Sequence, residues 1–159
     1  MRNAFFLVVG LVVGAGLEGL FAQQPDIVGL NHVALAVDDF AGASRFYSQV
    51  MGFPEAFALR EPNGSPALSY FQINRNTFIE LMPVTVDRPA GFVHFGLEVS
   101  NVDAAVKRLR SAGMNVGDPG TSAQTRSRIA TARTPQGMSL ELLEFGPGSL
   151  QRRVMDDWK

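Results

Sequence analysis

Residues 30–37 read LNHVALAV and residues 92–99 read FVHFGLEV. Both alternate or run apolar with β-branched residues, as strands with a buried face do. Helix-start residues follow each, Asp38-Asp39 and Ser100-Asn101, and Ser100 with Asp103 has the spacing of a capping box. Apolar positions then recur at helical spacing: Phe40, Ala43, Tyr47 and Val50 in the first segment, Val102, Ala105, Val106 and Leu109 in the second. Gly52 and Gly113 suit the left-handed position just past each helix. Short strands bounded by turn residues come next, at 55–59, 67–74 and 77–84, and again at 115–118, 127–133 and 139–145. The predicted order is strand, helix, three strands, twice over, an α+β fold.

The two segments also match residue by residue. His32 aligns with His94, Val37 with Val99 and Ala43 with Ala105, each 62 positions apart. Gly52 aligns with Gly113 and Glu80 with Glu141, both 61 apart, so one deletion explains both later matches. Two copies of a unit this long indicate a duplicated domain rather than a repeat array. The halves fall at about residues 29–84 and 91–145, within a domain spanning 23–145.

Strand parity then places the polar residues. Val33, Leu35 and Val37 share the face suited to the helix, leaving His32 opposite with Ala34 and Ala36. Val93, Phe95, Leu97 and Val99 likewise leave His94 opposite with Gly96. Glu80 lies between Ile79 and Leu81, and Glu141 between Leu140 and Leu142, each turned away from its apolar neighbours. One such histidine or glutamate alone is ordinarily a satisfied core or outward-facing residue. Together, four polar groups point away from the helices, and a sheet curved around that face would gather them.

Their chemistry narrows the reading. Two carboxylates converging in a partly apolar pocket repel unless a cation lies between them. A divalent metal neutralises both, and two neutral imidazoles complete an N/O ligand set suited to Zn, Ni, Co, Fe or Mn rather than Ca. Four protein ligands on a six-coordinate ion leave two positions, enough to chelate a small-molecule substrate through adjacent oxygens. The chain has no cysteine, which removes disulfides, thiolate nucleophiles and Cys-ligated zinc. A net charge of −1 without a basic cluster gives no footprint for nucleic acid.

The first 22 residues form a separate unit. Arg2, an apolar run from Ala4 to Leu17 and the small residue Ala22 before a polar stretch have the layout of a secretory signal peptide. The run is short for a membrane span. The mature chain is therefore expected to be exported, without stable membrane insertion.

The motifs NHVALAVDD…FYSQVMGF, FIEL, VHFGLEVSNVDAAVKRL and TPQGMSLELLEF resemble the vicinal oxygen chelate superfamily. That superfamily includes glyoxalase I, extradiol dioxygenases, methylmalonyl-CoA epimerase and the bleomycin-resistance proteins. The resemblance implies tandem βαβββ modules forming a cupped mixed sheet around one divalent metal, with His32, Glu80, His94 and Glu141 at the ligand positions. The full ligand set is closest to glyoxalase I-like members, in which a glutamate moves a proton next to a carbonyl; Glu141, with Glu80, is the expected catalytic pair. Glutathione-using members resemble this pattern but carry an arginine where this chain has Ala36, which argues against glutathione as the co-substrate. The alternatives are a ring-cleaving dioxygenase and a non-catalytic ligand-binding protein.

Other residues rank lower. Glu98 shares the cavity parity of Gly96, and Arg126, Arg128 and Arg133 are candidates for an anionic group of the substrate. Phe46, Tyr47 and Phe71 are expected in the core. In the tail, 146–159, Leu150, Val154 and Trp158 predict a short helix docking on the domain or on a second subunit. The sequence leaves open whether the halves meet within one chain or across a homodimer.

Overall fold

A computed structural model describes residues 26–159, so the expected leader lies outside the described residues. The elements run β1 (Ile27–Val37), α1 (Phe40–Arg45), β2 (Glu55–Arg60), β3 (Pro66–Asn74), β4 (Thr77–Pro83) and β5 (Gly91–Val99), followed by α2 (Val102–Ser111), β6 (Gly120–Thr121), β7 (Arg128–Arg133), β8 (Ser139–Glu144) and α3 (Leu150–Asp156). α1 continues directly into one π-helical turn, Phe46–Val50. The strands form a single sheet in the order β2-β3-β4-β1-β5-β8-β7-β6. The two copied strands, β1 and β5, lie antiparallel at its centre; β4 runs parallel to β1, and β8 parallel to β5. The mixed α+β sheet and the strand–helix–strands order of both halves follow the sequence pattern. Both halves meet within one chain.

The second helix follows its predicted face. Val102, Ala105 and Val106 are buried with Val99, Ala130, Ala132, Leu140 and Leu142, so the odd face of β5 and the even face of β8 pack on α2. The other face is buried as well. Leu68, Tyr70, Phe78 and Met155 form a second cluster, which puts α3 on the side of the sheet opposite α2. Ala34 and Ala36 of that face are 0% and 3% exposed.

Several local expectations are corrected. The cap of α2 is Asn101, whose side chain accepts from the Ala104 N–H, while the Ser100 N–H donates to the Asp26 carbonyl. Asp103, freed from a capping role, pairs with Arg128. The strand expected at 115–118 reduces to one bridge, Val116 to Ala132, before Pro119, which has no N–H to continue a ladder. Phe71 is buried, but Phe46 is 46% exposed because the π-helical turn that it opens buries no residue fully. α3 forms with a phase one residue off: it buries Gln151 and Met155, and leaves Trp158 exposed.

Candidate metal centre

Strand register assembles the site in two adjacent rows across the sheet. In the first row, Tyr70 stands opposite Glu80, Glu80 opposite Ala34, Ala34 opposite His94, His94 opposite Ser139 and Ser139 opposite Arg133. In the second, Phe78 stands opposite His32, His32 opposite Gly96, Gly96 opposite Glu141 and Glu141 opposite Thr131. Partners in a ladder share a face. The small residues Ala34 and Gly96 separate the two members of each row, and the long side chains close over them. At Gly96 the space is fully used: a Cβ there would lie 2.3 Å from His32 Cε1.

The four side chains meet. His32 Nε2 and His94 Nε2 are 2.9 Å apart. Glu80 Oε2 is 3.4 Å from His32 Nε2 and 3.3 Å from His94 Nε2. Glu141 Oε2 is 3.8 Å and 3.5 Å from the same two nitrogens. The ligand atoms of His32, His94 and Glu141 all lie within 4.8 Å of one another. With metal–ligand bonds of about 2.1 Å, separations from 2.9 to 3.8 Å subtend angles of about 90° to 130° at one ion; the shorter ones lie close to octahedral and tetrahedral edges, and the 3.8 Å pair, His32 with Glu141, is wider. The donor set and its spacing fit a divalent ion.

Hydrogen bonding aims the first imidazole. Asn31, fully buried, donates through Nδ2 to the Asn76 carbonyl, which leaves its Oδ1 as an acceptor 3.0 Å from His32 Nδ1. His32 Nδ1 therefore carries the proton, and Nε2 presents a lone pair to the centre. β1 places Asn31 there because its pairing to β5 slips between Leu30 and His32, so two consecutive residues are buried.

Burial and charge set the protonation states. Burial holds His32 down at about 4, against an upward pull from Glu80 and with His94 lowering it further. Burial also lowers His94, but its hydrogen bond to Glu80 and the charges of Glu141 and Glu80 outweigh that, with Arg88 opposing, and the net shift is upward. Burial raises the Glu141 carboxyl; His94 opposes and Glu80 adds to the rise. The two carboxylates differ in access: the Glu141 side chain is 21% exposed and the Glu80 side chain 5%.

Behind Glu80 lies a wall that the sequence pattern did not reveal. Tyr70 is fully buried, packs edge-on against His32 with ring centroids 5.5 Å apart, and stacks on Phe57. Its phenol is pushed well above its ordinary range, by burial first and then by the charges of Glu80 and Glu141. α3 closes this end of the cup. Gln151 accepts from Ser127 Oγ at 2.9 Å, Arg75 Nε donates to the Met155 carbonyl at 3.1 Å, and Arg152 holds Glu98 at 3.1 Å. Glu98 thus lies on the cup face but is taken by Arg152; burial raises its carboxyl and Arg152 opposes the rise. Arg128 is on the α2 face, bound to Asp103, and Arg126 is exposed in a turn with φ 61°, so neither joins the four. Of the three arginines weighed, Arg133 shares the face of Glu141.

A family model, Glyoxalase/Bleomycin resistance protein/Dioxygenase superfamily, matches residues 29–142. The chain belongs to this superfamily. Within it, the uncharacterized protein YaeR of Escherichia coli (strain K12) is 28% identical over 123 residues, 72% of this chain and 95% of that protein. Human mitochondrial methylmalonyl-CoA epimerase is 35% identical over 92 residues, 51% of this chain and 52% of the epimerase, so that match spans about half of the relative. The crystal structure of methylmalonyl-CoA epimerase from Mycobacterium tuberculosis superposes with a TM-score of 0.66 at 24% identity, covering 82% of this chain and 96% of that one. That likeness gives the superfamily fold, with its cupped sheet. His32, His94 and Glu141 could hold the divalent ion that superfamily members bind.

Proposed function

We propose that this superfamily member is a divalent-metal-dependent enzyme that moves a proton next to a carbonyl, an isomerase, epimerase or lyase of the glyoxalase type. Its substrate is a small molecule chelated through adjacent oxygens. His32, His94, Glu80 and Glu141 would hold the ion, which supplies Lewis-acid polarisation of the substrate carbonyl. The unequal access of the two carboxylates carries the reading. Glu80 is enclosed against Tyr70 and suits a fixed ligand, whereas Glu141 faces the open side and can reach a substrate carbon. Glu141, its carboxyl raised by burial, takes the proton and returns it. The leader pattern of the first 22 residues supports export of this activity from the cytoplasm, with processing near Ala22.

The test is Glu141→Gln, which keeps size and one oxygen ligand while removing basicity. A substrate is first identified by thermal-shift screening of the metal-loaded protein against metabolites with adjacent oxygens. The variant is expected to retain most of its metal and its substrate binding while kcat and solvent-deuterium exchange fall by ~10²–10⁴-fold. Exchange at the wild-type rate in Glu141→Gln but not in Glu80→Gln would reverse the assignment; wild-type exchange in both would end the proton-transfer reading.

A second reading is favoured by one observation. His32, His94 and Glu141 alone make the two-histidine, one-carboxylate set of non-haem iron oxygenases. An iron-dependent extradiol dioxygenase of Rhodococcus jostii is 35% identical over 85 residues, 28% of that protein's length. Iron-dependent oxygen uptake with catechols would establish that reading.

A further inference from the structure

The pairing of the arginines bears on which ligands the site would take, an inference that rests on the chelation reading above. Among the described residues, Arg108, Arg128 and Arg152 are half-buried and each holds a carboxylate: Asp26, Asp103 and Glu98. Arg88 is half-buried and holds none. Its Nε donates to the Pro83 carbonyl at 3.2 Å, and its Nη1 rests 3.6 Å from Met82 Sδ. Met82 stands opposite Ala36, two residues along from Glu80 and on the same face. The guanidinium therefore lies on the cup side, one row beyond the metal ligands.

The backbone holds it there. The Thr85 N–H donates to the Arg88 carbonyl at 2.9 Å, the Arg88 N–H donates to the Thr85 carbonyl at 3.2 Å, and the Val84 N–H donates to the Val37 carbonyl at 3.1 Å. On the other wall, Arg133 occupies the row of His94 and Ser139 and bonds only the Gly137 carbonyl, at 3.0 Å. A divalent ion between two carboxylates has no net charge with which to attract an anion. A half-buried guanidinium without a carboxylate, set beside such a neutral centre, is a receptor for one.

We propose that Arg88, with Arg133 on the opposite wall, anchors a carboxylate of the substrate, so that the ligand class is a carboxylic acid with a second oxygen on the neighbouring carbon. Glu98 and Arg152, already paired with each other at the closed end, take no part.

The experiment loads the protein with Mn²⁺ and follows methyl-proton relaxation of two probes during titration. Pyruvate is an anion with adjacent oxygens; hydroxyacetone is its neutral counterpart. Wild type is expected to bind pyruvate about tenfold or more tightly than hydroxyacetone, the range a charge-assisted pair gives. Arg88→Gln is expected to abolish that preference while Mn²⁺ content and hydroxyacetone binding stay at wild-type levels, and Arg88→Lys to restore part of it. A preserved preference in Arg88→Gln, or none in wild type, would overturn the anchor and leave chelation standing. If neither probe were relaxed by bound Mn²⁺ in wild type, the chelation reading itself would fall.

Discussion

Replacing Gly96 by alanine adds one carbon at the point where both modules close on His32. The new Cβ would lie 2.3 Å from His32 Cε1, 2.6 Å from Nδ1 and 2.7 Å from Leu143 Cδ1. Leu143 Cδ1 is a side-chain end and can rotate. The imidazole cannot move without cost: it is fully buried, its Nδ1 is bonded to Asn31, and Tyr70 packs against its edge. Overpacking of this kind costs about 1–3 kcal/mol. The larger effect is on the metal, because the ring must turn away from the Nε2 of His94 to make room. Displacing a ligand through its surroundings typically weakens metal affinity about 10- to 100-fold, and Gly96→Ala is expected to fall at the upper end. Gly29→Ala is the control, since Gly29 lies in the same β1–β5 ladder with nothing within 4 Å of its would-be Cβ. Metal titration by calorimetry, with melting curves of the metal-free forms, separates the two terms. Wild-type metal affinity in Gly96→Ala would refute the placement of His32 over Gly96.

Asn31→Ala should weaken metal binding by about 10- to 100-fold, with a smaller loss in the metal-free melting temperature, because it frees His32 Nδ1 without removing the ring; an unchanged dissociation constant would show that the hydrogen bond does not orient the ligand. Metal affinity should also depend on pH with a definite sign. Because the His94 pKa is raised, a proton occupies Nε2 at a higher pH than in a free imidazole and must leave for the ion to bind, so affinity falls as pH drops through that range, about tenfold per unit per proton. His32, held near 4, adds no second proton until the pH is close to that value. Affinity that rose on acidification would contradict this ordering.

Period-two alternation made the site legible in the sequence, because a strand that buries one face fixes the face of every second residue. Glu80 and Glu141 lie between pairs of apolar residues, and the small residues Ala34 and Gly96 flank the histidines on the cup face, so the alternation by itself turns all four to one face. Asn31 was hidden because the slip in the β1–β5 pairing breaks that alternation, burying two neighbours in succession. Tyr70 carries no signal of its own in the pattern of its strand; its significance comes from register alone, which sets it opposite Glu80. Arg88 lies in a connecting turn, where no periodicity applies. The tail helix was expected to bury its apolar residues, but one amide, Gln151, is buried instead against Ser127. A seven-residue helix is too short for its apolar spacing to decide which face turns inward.

The claim that underlies all of this is that one ion sits where the two modules meet. Metal content of the purified mature protein, measured by mass spectrometry beside His32→Ala and His94→Ala, tests it most directly. The account predicts about one divalent ion per chain in wild type and loss of most of it in each variant, since each histidine supplies one of four ligands. Wild-type metal content in both variants would place the ion elsewhere and contradict the account.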